Sequence, residues 1–314
     1  LDSLMISEVD VLGVLPLEEE ILKKKFHLEF KEKISRADLD KIVDNIYGTQ
    51  SYDYVTYELL GCCDPYKLVL TCKKGPVHQF GLGVRADTEE IVSVLLNVGL
   101  NAHKMYGHTF DLTGRISANP ALKLRWSYDA PKMPTLNVAA SVRWTDLGML
   151  NLWGNRLSLG YFNAKQEIYM SNIKWKLMDL RVGARNEYVK IKNIKSSEII
   201  GDYDFNQLNS DFVTAFAEGR ADTFDDGYFP KKGFNAGISY GWTLGGFTTT
   251  LNNFHTVTAD AKVVVPAGKV FAFIPSFNAR FLFGEDIPVA YFNAMGGSLA
   301  GRYVDQQMPF IGIN

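Results

Sequence analysis

The sequence predicts a transmembrane β-barrel preceded by a small α+β domain, and three observations carry that reading. Apolar and polar residues alternate along many consecutive segments, as they do on the two faces of a strand. Those segments run to about ten residues, the length a tilted strand needs to cross a bilayer, and Trp and Tyr recur near their ends. Residues 1–74 have a different texture, in which helical periodicity is mixed with short strands.

Taken in order, Ile6 to Val14 reads as a strand. Leu17 to Phe26 reads as a short helix, with Leu17, Ile21 and Leu22 on one side and Glu18, Glu19, Lys23 and Lys24 on the other. Ser35 stands as an N-cap with Asp38 following, before the periodic set Leu39, Ile42, Val43 and Ile46. Gly48 is expected to end that helix in the left-handed conformation. Tyr52 to Leu60 and Tyr66 to Lys74 follow as strands around an Asp64-Pro65 turn, giving the order β-α-α-β-β.

From residue 75 onward the alternation dominates. In Thr109 to Asn119, Phe110, Leu112, Gly114, Ile116 and Ala118 oppose Asp111, Thr113, Arg115 and Ser117. Leu122, Leu124, Trp126 and Tyr128 oppose Lys123, Arg125, Ser127 and Asp129; Leu136, Val138, Ala140, Val142 and Trp144 oppose Asn137, Ser141, Arg143 and Thr145. Val257 to Val265, opposed by Thr258, Asp260 and Lys262, repeats the pattern. A soluble sandwich turns its polar face to water, whereas a membrane barrel turns its apolar face to lipid and its polar face to a wet lumen. Periodicity is common to both. Strand length, and the placement of Trp126, Tyr128, Trp144, Tyr161, Trp175 and Trp242 on or near the apolar parity, favour the barrel. Residues 75–314 leave room for roughly 12 strands at about 20 residues per strand and connection.

Composition bounds the function. A formal charge of −2 gives no basic field of the kind that collects nucleic acid. There is no run of about 18 apolar residues of the kind that makes a membrane-spanning helix, which says nothing against a barrel. The chain opens on Leu1-Asp2-Ser3 without a basic and then apolar leader, so an exported barrel is expected to be a processed product or a fragment.

Catalytic chemistry is thin. Gly237-Ile238-Ser239-Tyr240-Gly241 matches Gly-x-Ser-x-Gly, but a nucleophile elbow needs a strand, a sharp turn and a helix, and here the motif falls within a strand pattern. His27, His78, His103, His108 and His255 lack ligand spacing, and no Cys pair frames a zinc site. No catalytic, cofactor-binding or metal-binding residue is therefore assigned. Cys62, Cys63 and Cys72 crowd into the predicted hairpin, where a bridge from Cys72 to Cys62 is geometrically doubtful. The acidic residues Asp222, Asp225 and Asp226 read as loop solubility.

Ser35-Arg36-Ala37-Asp38-Leu39-Asp40-Lys41-Ile42-Val43 leading into Ile46-Tyr47-Gly48-Thr49 and Tyr52-Asp53-Tyr54-Val55-Thr56-Tyr57 resembles a POTRA module. Tyr47, Gly48 and Thr49 are its most recognisable part. POTRA modules precede the barrels of the BamA, TamA and FhaC superfamily of outer-membrane insertases and secretion pores. Asp226-Gly227-Tyr228-Phe229-Pro230-Lys231-Lys232-Gly233 resembles that superfamily's strand junction, through Asp226, Phe229, Pro230 and Gly233. Gly296 to Tyr303 resembles its plug-loop signature, through Gly296, Gly297, Gly301, Arg302 and Tyr303. The family pattern has Arg just before the glycine of the loop tip, where this chain has Ala300, with Arg302 after Gly301. Arg302 either takes the lumenal role of that arginine from the other side of the glycine or is one more solvated loop arginine.

The resemblance implies a periplasmic POTRA domain over residues 1–74, a barrel of about 16 strands beginning in residues 75–314, and a plug loop at about 284–307 between the eleventh and twelfth strands. It places the twelfth strand at Met308 to Asn314 and about four strands beyond the chain. The tail Gly301 to Gly312 is similar to the C-terminal half of patatin-like phospholipases fused to such barrels, whose hydrolase would lie upstream of Leu1. The expected function is a bacterial outer-membrane anchor that inserts or translocates polypeptide. Its partners would be outer-membrane lipid and an extended polypeptide held by the POTRA, without nucleic acid or cofactor. A non-enzymatic assembly or secretion factor like BamA or TamA is the alternative, and a plain porin the third.

Overall fold

The computed structural model describes residues 4–28, 33–48, 51–87, 91–101, 106–130, 133–150, 156–196, 209–225, 229–246, 253–268, 271–285, 287–296 and 304–309. They form two compact units. One comprises Leu1–Gln79, Gly99–Thr109 and Asp129–Met133, the other Phe80–Val98, Phe110–Tyr128 and Pro134–Asn314.

The first unit runs β1 (Ile6–Leu12), α1 (Pro16–Lys25), α2 (Arg36–Gly48), β2 (Tyr52–Leu60) and β3 (Tyr66–Lys74), the expected order. Its sheet is ordered β1-β3-β2, with β3 in the middle, parallel to β1 and antiparallel to β2. Leu22, Leu39 and Ile46 from the helices close a core with Ile6, Val11, Leu68, Leu70 and Cys72. Ser35 caps α2 by accepting the Asp38 N–H at 3.2 Å while donating to the Asp38 carboxylate at 2.7 Å. Two expectations are corrected. Gly48 keeps a helical backbone as the last residue of α2 and does not end it in the left-handed region. Glu18 is buried and does not face water, because its carboxylate takes the Leu15 N–H at 2.6 Å and pairs with Lys74 at 3.0 Å. Gly13 turns the chain into α1 at φ +82°, where a Cβ would lie 2.1 Å from the Cys72 carbonyl oxygen.

The second unit is carried by a twelve-stranded sheet. Its strands are β4 (Gln79–Asp87), β5 (Ile91–Asn101), β6 (Gly107–Ile116), β7 (Ala121–Asp129), β8 (Thr135–Leu150), β9 (Arg156–Trp175), β10 (Met178–Ser196), β11 (Asn209–Asp222), β12 (Gly233–Thr243), β13 (Phe254–Ala267), β14 (Phe271–Phe273) and β15 (Ser276–Gly284). Each pairs with its sequence neighbour from β4 to β14, and β14 and β15 bind successive stretches of β13, so the short strand extends a rung without adding one. Where the register is described, from β7 to β15, every pairing is antiparallel.

Which face of this sheet is covered decides what it is. On β8, Asn137 is 4% exposed and Thr145 is fully buried, while Val138 and Val142 stand open at 41% and 43%. On β9 and β10 the charged parity carries Glu187 at 3% exposure, and Ile168 on the opposite face is 54% exposed. Phe110, Leu124, Ile238, Trp242 and Phe281 join Ile168 on the open face. In a soluble fold that burial would be inverted, because exposing so much contiguous apolar surface to water is costly. Lipid removes the cost, and the wet side becomes the inside. Tyr161 departs from its expected place near the apolar parity: it is 3% exposed on the polar face, packed beside Phe212 and Tyr291. No described helix is long and apolar enough to cross a membrane, which says nothing of strands.

Candidate functional site

The functional surface is the polar face of the sheet, and its side chains are paired across strands. Glu167 on β9 holds Arg185 at 2.6 Å and Arg181 at 3.3 Å, and Arg181 reaches Glu218 on β11 at 3.1 Å. The Arg181 guanidinium also lies 3.8 Å over the Tyr169 ring. Farther along, one Arg220 nitrogen donates to both Asp260 carboxylate oxygens at 2.9 and 3.0 Å, and Arg125 pairs with Asp111. Neighbouring strands place these groups opposite one another, as in Arg181 against Glu218 and Arg185 against Glu167. The result is a charged but mutually neutralised wall.

A segment after β15 lies on this wall. A short helical turn, Val289–Tyr291, brings Tyr291 into contact with Phe212 and Phe254, ring centroids 4.9 and 4.8 Å away, edge to face. The Tyr291 hydroxyl donates to the Glu187 carboxylate at 2.9 Å, which also accepts from Asn163. Arg280 on β15 donates to the Tyr291 carbonyl at 2.7 Å and to Asn293, whose amide returns a bond to the Arg280 carbonyl. The chain then forms β16 (Ala294–Met295), which pairs in parallel with β17 (Gln307–Met308). Gly296 donates its N–H to the Met308 carbonyl at 3.0 Å, closing the base of the segment between them. On the returning limb Asp305 pairs with Arg143 on β8 at 2.8 Å and with Lys165 on β9. Among the described residues the segment is thus held by an aromatic contact at Tyr291, by the Arg280 bonds to Tyr291 and Asn293, and by an ionic contact at Asp305.

Three motifs singled out in the sequence meet the structure unequally. Gly296 sits at the base of the segment at φ +137°, while Gly297, Gly301, Arg302 and Tyr303 lie outside the described residues. Met308 ends β17, which pairs with β16, and residues 310–314 of the expected twelfth strand lie outside the described residues. Gly233 opens β12 at φ +110° with the Thr223 carbonyl oxygen 2.4 Å from where a Cβ would stand, so the junction admits only glycine. Phe229 is 81% exposed and Pro230 follows it into the turn, but Asp226 lies outside the described residues. Its neighbour Asp225 organises that turn, accepting the Lys231 and Lys232 N–H groups at 2.9 and 3.1 Å. Those two bonds hold its carboxyl below the usual carboxylate range. Asp222 takes the Asn235 amide at 2.7 Å, so both acids build the junction and do more than solubilise it. Tyr47 and Gly48 close α2, Tyr47 being 55% exposed, and Thr49 lies outside the described residues.

Ser239 lies mid-strand on β12, opposite Glu218 and Thr258, and shares a hydrogen bond with the Thr258 hydroxyl. Its neighbourhood is strand on both sides, which is no elbow for a nucleophile. Among the described residues no cluster of His, Cys, Asp and Glu could hold a metal ion.

Sequence reasoning passed over Glu187, Tyr291, Asp305, Arg143 and Lys165 as a set. One signal was available: Val189, Phe212 and Phe254 are apolar residues on the polar parity, a mismatch that requires a cover.

A comparison of the sequence with curated proteins finds no match. Among solved structures the chain is similar to BamA from Haemophilus ducreyi lacking POTRA domains 1–3, with a TM-score of 0.62 at 14% identity, covering 95% of this chain and 60% of that one. It is also similar to CdiB from Escherichia coli, with a TM-score of 0.52 at 11% identity, covering 97% of this chain and 59% of that one. The chain therefore spans about three fifths of the length of either. At these identities the likeness is one of fold. The OMP85 superfamily profile matches residues 136–314, the stretch that holds most of the charged wall and the segment lying on it, and the chain belongs to the OMP85 superfamily of outer-membrane β-barrels.

Proposed function

We propose that this chain is the anchoring and polypeptide-handling part of an outer-membrane protein, in which residues 1–74 are a periplasmic POTRA domain and the segment from about 284 to 307 is a plug. The observation that carries the reading is the polar wall occupied by an inserted segment, since an empty conducting pore would have no use for a buried tyrosine and a paired aspartate lying across it. The order β-α-α-β-β and the Tyr47-Gly48 pair at the end of α2 support the POTRA assignment. With β3 central, β1 and β2 are the two edges of the sheet, and the client edge in this reading is the outer side of the hairpin strand β2, where Tyr54 is exposed. On the tail's resemblance, the parent protein carries a patatin-like lipid acyl hydrolase upstream, for which this chain is the membrane unit.

Two measurements test this. A photo-crosslinking residue at Tyr54 in the full-length protein should capture a urea-unfolded β-barrel polypeptide, and the same residue at Leu17 on α1 should not; equal capture at both would sink the β2 edge as the client site. Intact mass with peptide mapping of the native protein should show an upstream Gly-x-Ser-x-Gly peptide. Its absence would leave a non-enzymatic assembly factor.

A further inference from the structure

The three cysteines of the first unit occupy two different environments. Cys72 lies near the C-terminal end of β3, opposite Val55 and 2% exposed, and burial pushes its thiol up to about 11. Buried protonated thiols of that kind are inert packing residues. Cys62 and Cys63 are instead both exposed at the tip joining β2 to β3, and their sulfur atoms stand 3.6 Å apart. Neither contributes to the apolar core. The tip around them is anchored: Asp64 accepts the Met5 N–H at 3.2 Å and lies 3.7 Å from Lys33, while Gly61 enters at φ +135°. The two thiols are thus adjacent, accessible and held on a fixed turn, with the third thiol remote from both.

We infer that Cys62 and Cys63 form a reversible dithiol–disulfide site, closed by exchange with a low-molecular-weight or protein disulfide. One thiol loses its proton, and its thiolate attacks a sulfur of the incoming disulfide; the S–S bond breaks and one thiolate leaves. The neighbouring thiol, deprotonated in turn, attacks the mixed disulfide and expels the second thiolate. The cysteine pair is oxidised by two electrons, and the incoming disulfide is reduced to two thiols, whose leaving thiolates take up the two protons lost by Cys62 and Cys63. Closing the ring needs the sulfurs to move only to about 2.05 Å. Because neighbouring Cα atoms lie about 3.8 Å apart across a trans peptide, less than a relaxed disulfide prefers, the bond is easily reduced again. Strained, exposed disulfides are the labile ones.

Trypsin separates the two environments, placing Cys62 and Cys63 on residues 42–67 and Cys72 on residues 68–73. The native full-length protein in detergent is incubated with oxidised glutathione, quenched in acid, alkylated and mapped by mass, beside C62S and C63S. The 42–67 peptide of the wild type should lose two hydrogens and resist alkylation until a reductant is added, with Cys72 still alkylated on its own peptide. Each single variant should stop at a stable glutathione adduct. Three results would overturn the inference: two alkylated thiols in the wild type, a persisting glutathione adduct there, or a cross-link between the two peptides. Failure of both variants to take up glutathione would overturn it as well, by showing the tip inaccessible.

Discussion

Asp305→Lys should convert small, erratic channel openings into larger and more frequent ones, with a severalfold rise in mean conductance for the full-length protein in planar bilayers. Asp305 answers two cations on the wall, Arg143 and Lys165. Lysine there would put a third positive charge against them, so the ionic anchor becomes repulsive and the contacts of Tyr291 and Asn293 are left to oppose it. Asp305→Asn keeps shape and removes charge, and should lie between the wild type and the lysine variant. Tyr291→Phe removes the hydroxyl bonded to Glu187 but keeps the ring between Phe212 and Phe254, and should open the channel less than Asp305→Lys. An Asp305→Lys protein with wild-type strand content and unchanged conductance would show that the segment does not limit permeation.

Ile168→Arg should destabilise the barrel in lipid vesicles by about 2–4 kcal/mol, the cost of an arginine on the lipid face near the bilayer midplane. Ile168 is 54% exposed and lies between Val138 and Ala184 on adjacent strands, well away from either end of β9. Ile168→Val should be close to neutral. A soluble sheet would accept an arginine at so open a position without measurable loss, so the size of the effect separates the two architectures. Equilibrium refolding into vesicles measures it, and equal stability of Ile168→Arg and wild type would contradict a lipid-facing assignment.

Much of this was legible because the strand period is local. Tyr52–Leu60 and Tyr66–Lys74 were readable to the residue, since each is bounded by turn chemistry: residues 49–51 before the first, and Gly61 through Asp64-Pro65 between the two. The alternation of β8 was legible for the same reason. What it could not say was which face is covered, because a period of two is symmetrical about the strand; that needed the burial of Asn137 and Glu187 set against the exposure of Val138 and Ile168. The anchors of the inserted segment were hidden by distance along the chain. Asp305 meets Arg143 across 162 residues and Lys165 across 140, and no local pattern encodes such a pairing. Tyr161 was misplaced because an aromatic near a strand end fits the girdle and the polar-face cluster equally well. Glu18 was misread because helical periodicity assigns a side and cannot foresee Lys74 as its partner.

The central claim is the inside-out sheet, and β8 tests it residue by residue. Single nitroxide labels at positions 136–143 of the protein in lipid bilayers should show high collision rates with oxygen and low rates with a water-soluble nickel chelate at Leu136, Val138, Ala140 and Val142. Low oxygen accessibility should alternate with these at Asn137, Ala139, Ser141 and Arg143. The opposite phase, with oxygen reaching the polar parity and the chelate reaching the apolar one, would contradict the barrel.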